Sequence, residues 1–378
     1  MQGSNNIKSF QLALIIFVSQ TGITVLTLPT HLSKDTGHDG WISLIITAVL
    51  IIIFSMLIAL LLKRYYDKGI YDINHYLFGK VVGTCINALL VLYMTAATAS
   101  GCSLFNYIIR STLLQQTPSW VLTPLLTIPS FYLVWYGLKS MSRFFFLTLI
   151  SYFVVDIFLV LLYKEFRPTF LLPVGEAGIG RILTGMRSGF FAFSGFELIA
   201  FFYPYITDRK KVTKWYVGAS LASLVFLLAA VAASVAIMGQ NFLNVLSAPF
   251  FRLARLYNAS VFERVDIYII AIWFIPMACS LRNYIFGSFD GAMKVFGLKK
   301  TKLLFFIFFV VIQLLAHLPR DTNQMIFFFE LTKLIGAGTG MFFVLCLFLS
   351  FIRKKGTVCG TEDTAGKKKE IAGKKRDT

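Results

Sequence analysis

The sequence predicts an all-α polytopic membrane protein of about ten transmembrane helices, built as two inverted five-helix repeats with helices 1 and 6 broken. Three observations carry this. The 378 residues are 57% hydrophobic and only 14% charged, with a mean hydropathy of +0.73; a soluble domain carries about 25% charged residues. The apolar residues gather into runs of membrane-crossing length, about 20 residues each. Two of those runs, the first and the sixth, share a helix-weakening signature.

In chain order the runs cover residues 10–30, 41–62, 82–109, 120–138, 144–163, 184–203, 215–238, 265–287, 303–319 and 325–352. The first holds "TGITVLTLP", residues 21 to 29, where Gly22 and Pro29 both weaken a helix. The third carries Tyr93, Ala97 and Thr98 on one face. The fifth has Asp156 in "SYFVVDIFL", an ionisable group costing about 2.5–3.5 kcal/mol on insertion scales and placed to pair with another helix. The eighth opens on "FERVD", where Glu263 and Asp266 suit a helix N-terminus and Arg264 offers an ionic lock to a loop or a partner. Further along it, Ser280 and Tyr284 share a face beside Arg282. The ninth ends in "AHLPRD", placing His317 at the interface. In the tenth, Glu330 and Lys333 are three apart, which permits a local ion pair, or a gate facing a water-filled cavity.

The sixth run contains "FAFSGFELIAFFYP", Phe191 to Pro204. Thr21-Gly22 followed by Pro29 is matched there by Ser194-Gly195 followed by Pro204. The two runs are five helices apart, so they cross the bilayer in opposite directions, as an inverted repeat requires. Freed backbone groups at such breaks line a midplane cavity that takes a small zwitterion or ion. Glycine suits the unwound stretch and admits a ligand close to the backbone; small residues packing two helices together are the plainer alternative. Glu197, two residues past Gly195, either neutralises a ligand ammonium or is protonated and bonded to the first helix.

The net charge of +18 is distributed as a topology signal and not as a nucleic-acid surface. With a cytoplasmic N-terminus, the inside loops hold Lys63, Arg64, Lys68, Lys80, Lys139, Arg143, Arg209–Lys211, Lys214, Lys294, Lys299, Lys300 and Lys302. An even helix count then puts both termini in the cytoplasm. The polar start "MQGSNNIKSF" does not read as a cleavable signal. Residues 1–355 form the permease-like domain; the basic tail 356–378 is expected to be disordered and held near anionic headgroups. Cys85, Cys102, Cys279, Cys346 and Cys359 show neither metal nor disulfide spacing. With no metal cluster, nucleophile elbow or phosphate loop, an enzyme is not expected, nor is a cofactor. "GEAGIG" at 175–180 lies in an outside loop rather than between a strand and a helix.

"GITVLTLP", "HDGWIS" at 38–43, "FAFSGFE" with "FFYP", and "FERVD" at 262–266 resemble the endospore germination permease family. These are the GerAB-type B subunits of spore germinant receptors, within the amino acid/polyamine/organocation superfamily. The resemblance runs from the N-terminus to about Lys355. It implies a germinant-sensing subunit in the spore inner membrane, commonly taking an amino acid, with a membrane-embedded A-type subunit and a C-type lipoprotein as partners. It also brings helix 8 beside the breaks, so that the expected ligand site comprises Thr21, Gly22, Ile23, Tyr93, Ala97, Thr98, Phe193, Ser194, Gly195, Phe196, Glu197, Ser280 and Tyr284. Glu263, Arg264, Asp266, Glu330 and Lys333 are expected in structural or coupling roles. The chain departs from many amino-acid transporters of this fold in having one glycine, not two, in the first break. An autonomous permease driven by protons or sodium is the alternative function.

Overall fold

The computed structural model describes residues 6–66, 68–246, 248–256 and 265–353. Glu263, Arg264, Cys359 and the tail 356–378 lie outside the described residues. The described chain is helical. In order it forms α1 (Ser9–Thr21), α2 (Leu28–Thr36), α3 (Gly40–Arg64), α4 (Ile70–Phe78), α5 (Lys80–Thr112), α6 (Ser119–Trp135), α7 (Leu138–Leu161) and α8 (Gly178–Ala192). Then come α9 (Ile199–Phe202), α10 (Val212–Met238), α11 (Gln240–Leu243), α12 (Pro249–Leu256), α13 (Val265–Phe296), α14 (Lys302–Ala316) and α15 (Thr322–Ile352).

Ten crossings follow. Among the described residues, 7 helical stretches are long and apolar enough to cross a membrane by themselves. These supply the first, second, third, fifth, seventh, eighth and tenth spans: α1 with α2, then α3, α5, α7, α10, α13 and α15. The fourth and ninth are the shorter apolar helices α6 and α14. The sixth is divided between α8 and α9, so neither half reaches membrane length alone. The run boundaries read from the sequence agree with these elements to within a few residues, except that α7 and α8 begin about six residues earlier and α13 ends about nine residues later than their apolar runs.

Two short helices escape an apolar-run reading. In α4, Ile70, Tyr71, Ile73, Asn74 and Leu77 are buried on one side, and Asn87 on α5 ties them down by accepting from Asn74 Nδ2 (2.7 Å) and donating to the Tyr71 carbonyl (3.0 Å). In α12, Phe250, Phe251, Leu253 and Ala254 are buried. Both helices pack one apolar face against the bundle, which spreads their hydrophobic residues at helical spacing instead of concentrating them.

The broken spans sit at the centre. Ser9–Leu26 is the most enclosed of the long stretches, packed between α10 and α13, while α13 also packs on α5, α6 and α7. The first break is a 3₁₀ turn over Thr24–Leu26. Pro29 does not cause it; it occupies the first turn of α2, where a missing N–H costs nothing. The second break runs through Phe193–Leu198, with Gly195 at φ +112°, a conformation that side-chain-bearing residues rarely adopt. A Cβ there would also lie 2.8 Å from that of Ser19, so the second break packs directly on the last turn of α1.

On the face that carries both described ends, the chain entering the first span is stitched to the chain leaving the sixth. Ile7 pairs with Ile206 in an isolated parallel bridge, through Ile7 N–H to the Tyr205 carbonyl (2.9 Å) and Thr207 N–H to the Ile7 carbonyl (3.0 Å). Asp208 then accepts from the Ser9 N–H (2.6 Å) and hydroxyl (2.9 Å). Arg209 donates to the carbonyls of Tyr66, Pro204 and Ile206. Nearby, Asp290 takes Tyr205 Oη (2.5 Å) and Lys294 (2.9 Å).

On the opposite face the "HDG" turn is a clamp. Asp39 accepts from the Gly175 and Ala177 N–H groups, each at 2.9 Å, and His38 Nε2 donates to the Pro173 carbonyl at 2.6 Å. The amides that a phosphate-binding reading of "GEAGIG" would need are therefore committed to a carboxylate.

Candidate ligand site at the helix breaks

Glu197 is the centre of the site. It lies in the 3₁₀ turn of the second break, fully enclosed, although a lone carboxylate at this depth is costly. Its stability there comes from three donors. Oε1 accepts from Tyr93 Oη on α5 (2.6 Å) and Tyr284 Oη on α13 (3.2 Å); Oε2 accepts from the Gly195 N–H (2.9 Å). One side chain thus joins the third, sixth and eighth spans at the level where the sixth is unwound. Tyr93 is held in place from behind: on α15, Gly336 leaves room for Tyr93 and Gly340 for Phe196, which any Cβ would displace.

The first break contributes backbone and amide groups. Gln20 Nε2 donates to the Phe193 carbonyl (3.4 Å), while its buried Oε1 and the Ser194 hydroxyl have no partner among the described residues. The Gly22 carbonyl, freed where α1 ends, accepts from Trp273 Nε1 (2.9 Å), and the Phe196 carbonyl accepts from Tyr216 Oη. Asn283 donates to Ser19 Oγ (2.8 Å) and to the Ile15 carbonyl (3.3 Å). Aromatic and amide side chains thus satisfy the carbonyls that unwinding exposes, as a span in lipid demands.

The expected site residues separate into two groups. Tyr93, Phe193, Ser194, Gly195, Phe196, Glu197 and Tyr284 come together around the second break. The others face elsewhere. Thr21 turns to Tyr152 on α7 (2.6 Å). Gly22 remains helical, at φ −62° and ψ −45°, with its N–H bonded to the Val18 carbonyl (2.9 Å). A Cβ on Gly22 would lie 2.8 Å from the Pro276 carbonyl oxygen and 2.9 Å from Ser280 Cβ. Gly22 and Ser280 therefore form the contact between α1 and α13, which is the small-residue packing alternative and not an opening for a ligand. Ser280 reaches the Ser19 carbonyl at 3.4 Å. Thr98 is spent on the Met94 carbonyl within its own helix (3.0 Å), Ala97 is half-buried on α5, and Ile23 packs toward Gly101.

The charged residues also find other partners than expected. Glu330 pairs with Arg187 on α8 at 3.2 Å, not with Lys333, whose ammonium lies over the Phe329 ring of its own helix instead. Asp266 pairs with Arg255 of α12 at 3.0 Å. Asp156 lies on the outward face of α7, away from the bundle. His317 Nδ1 donates to the Gln313 carbonyl within α14 (2.7 Å). Arg282 is enclosed instead by the rings of Phe144 and Phe145, each 5.1 Å from its guanidinium, and donates to Cys279 Sγ. Gln20, Trp273, Tyr216 and Asn283 escaped the sequence reading; their one signal was a hydrogen-bonding side chain inside an otherwise apolar run.

Outward of Glu197, on the face away from the chain ends, a cavity of about 120 Å³ opens between α2, α5, α15 and the α11–α12 connection. Thr27, Thr30, His31 and Lys34 line one wall; Tyr107, Phe329 and Glu330 line the others.

A family model described as "Spore germination protein" matches residues 6–325. The chain belongs to that family. Relatives in it include spore germination protein YndE of Bacillus subtilis (strain 168), 25% identical over 93% of this chain and 98% of the relative. Spore germination protein B2 of the same organism is 25% identical over 90% and 95%. Among solved structures, MhsT in complex with L-phenylalanine superposes with a TM-score of 0.62 at 15% identity, covering 90% of this chain and 88% of that one. A Na⁺-coupled sialic acid symporter in a substrate-bound outward-open state gives 0.62 at 14% identity, covering 92% and 80%. At such identities these likenesses establish the fold. This spore germination family member is an integral membrane protein with the inverted-repeat transporter architecture, and it is not an enzyme.

Proposed function

We propose that the chain is the germinant-sensing B-type subunit of a spore germination receptor. It binds a small molecule, an amino acid, at the midplane between the first, third, sixth and eighth spans and passes the signal to A-type and C-type partner subunits in the spore inner membrane. The observation that supports this most is the Tyr93–Glu197–Tyr284 constellation, which closes three spans on one carboxylate beside both breaks. A ligand ammonium drawn to Glu197 competes with the tyrosines for Oε1, and so changes how the third and eighth spans are held to the sixth. Binding then shifts a conformational equilibrium by its preference for one arrangement. The basic residues of the face that carries both described ends support a cytoplasmic position for that face, with the cavity above Glu197 toward the other side.

The second reading is an autonomous amino-acid permease, favoured by the transporter folds that the chain resembles. Germination of spores lacking the gene, across a panel of amino acids, tests the first: loss of response to a subset supports it, and an unchanged profile refutes it. Uptake of radiolabelled amino acids into proteoliposomes holding this chain alone tests the second.

A further inference from the structure

The expected anchor for an amino-acid carboxylate is the break backbone, and here both break glycines are already engaged. The Gly22 N–H is bonded to the Val18 carbonyl and the Gly195 N–H to Glu197, each at 2.9 Å. The nearby cation is Lys333 on α15. It lies one turn outward of Gly336, the residue against which Tyr93 Oη and Ser194 Oγ pack, and Tyr93 in turn donates to Glu197. Its ammonium sits 5.1 Å from the centre of the Phe329 ring, and Phe329 also lines the cavity above.

Lys333 is half-buried, yet no hydrogen-bond acceptor or ion-pair partner is found for it among the described residues. It is not the direct counter-ion of Glu197: the two make no ion pair within 4.0 Å, and the Glu197 oxygens are filled by Tyr93, Tyr284 and the Gly195 N–H. Three ammonium donors are thus left to meet an acceptor from outside the fold. A cation kept in a span with an aromatic ring beside it and no acceptor among the described residues points to use.

We infer that Lys333 takes the carboxylate of a zwitterionic α-amino acid whose ammonium faces Glu197, replacing the backbone amides that the single-glycine first break does not offer. The inference rests on the reading of this pocket as the ligand site. The bound molecule would lie with its carboxylate toward the cavity and its amino group toward the second break. Lys34 in the cavity wall and Arg187 at its rim draw an anionic group in by the same route.

The test uses the full chain in nanodiscs and, as probes, the twenty common amino acids, each beside its carboxamide, in which the anion is replaced by a neutral group. The expected result is that at least one amino acid binds the native chain at least tenfold more tightly than its amide. Lys333→Met should remove that preference and weaken the acid at least tenfold, and Lys333→Arg should keep the preference. Equal binding of acid and amide by the native chain overturns the inference without any variant. Wild-type affinity and preference in Lys333→Met also overturn it, while leaving the pocket reading intact. Failure of every amino acid to bind the native chain removes the pocket reading, and the inference with it.

Discussion

Replacing Glu197 separates its charge from its place in the fold. In Glu197→Gln, the amide oxygen can keep the Gly195 N–H, and the NH₂ group then faces Tyr93 and Tyr284. Both hydroxyls can rotate to accept from that group, which keeps the three contacts; their own O–H groups then need another acceptor, and the Ser194 hydroxyl, which has no partner among the described residues, lies beside Tyr93. Glu197→Ala has no such remedy. It strands three enclosed donors at about 1–3 kcal/mol each, out of a total stability of order 5–15 kcal/mol. The alanine variant should therefore be recovered from membranes in clearly reduced amount, and the glutamine variant in near-native amount. Loss of a charged hydrogen bond to a ligand ammonium costs about 1.5–3 kcal/mol, or about 10- to 150-fold in affinity. Glu197→Gln should accordingly raise the half-maximal amino-acid concentration for germination at least about tenfold. The assay pairs a quantitative immunoblot of spore membranes with the dose–response curve of dye-release or optical-density loss. A glutamine variant with native sensitivity refutes the ligand role. An alanine variant that folds as well as the native chain refutes the account of the three donors.

Other perturbations test separate contacts. Gly22→Val places carbon against the Pro276 carbonyl and Ser280, so it should lower the yield of monodisperse protein on size-exclusion chromatography, by an overpacking cost of about 1–3 kcal/mol; a native yield with altered ligand response would return Gly22 to the site. Gly195→Ala combines a positive φ with a Cβ 2.8 Å from that of Ser19 and should reduce the melting temperature of purified protein, whereas an unchanged value would mean that the second break relaxes freely. Asp39→Ala frees the amides of Gly175 and Ala177 and should raise proteolytic nicking and hydrogen exchange across 173–177; unchanged protection refutes the clamp. Lys210→Cys and Lys300→Cys should be labelled by impermeant reagents only from the cytoplasmic side, and labelling in intact cells would reverse the orientation.

Much of the fold was legible because lipid imposes a length on every span, and ten apolar runs could be set against that length. The breaks were legible because hydroxyl–glycine pairs followed by proline recur five runs apart. The direction in which each polar group faces was not. Spans such as α1, α3 and α10 are apolar on all sides, so periodicity names no inward face. Thr21 and Gly22 could thus be placed at the break, while their turn toward α7 and α13 depends on how the helices cross. Likewise, spacing alone allowed Glu330 to pair with Lys333; Arg187, 143 residues away in sequence, was supplied by tertiary packing. Tyr284 and Glu197 could be picked out because a carboxylate and a hydroxyl in such runs need a reason to be there, and each turned out to be the other's.

The Ile7–Ile206 bridge has a mechanical consequence. It couples the two broken spans by main-chain hydrogen bonds at a single end, backed by Asp208 on Ser9. Main-chain links stretch little, so the half-helices that meet there cannot slide past one another; they turn together, as two levers pinned to one axle. At the other end α2 and α8 pack side against side and are joined through side chains, with the Ser188 hydroxyl donating to Asp35 at 2.6 Å. Under the proposed function, a ligand in the cavity above Glu197 would press on α2, and the pinned halves would answer as one body, on the face where Tyr66, Tyr205 and Asp290 gather.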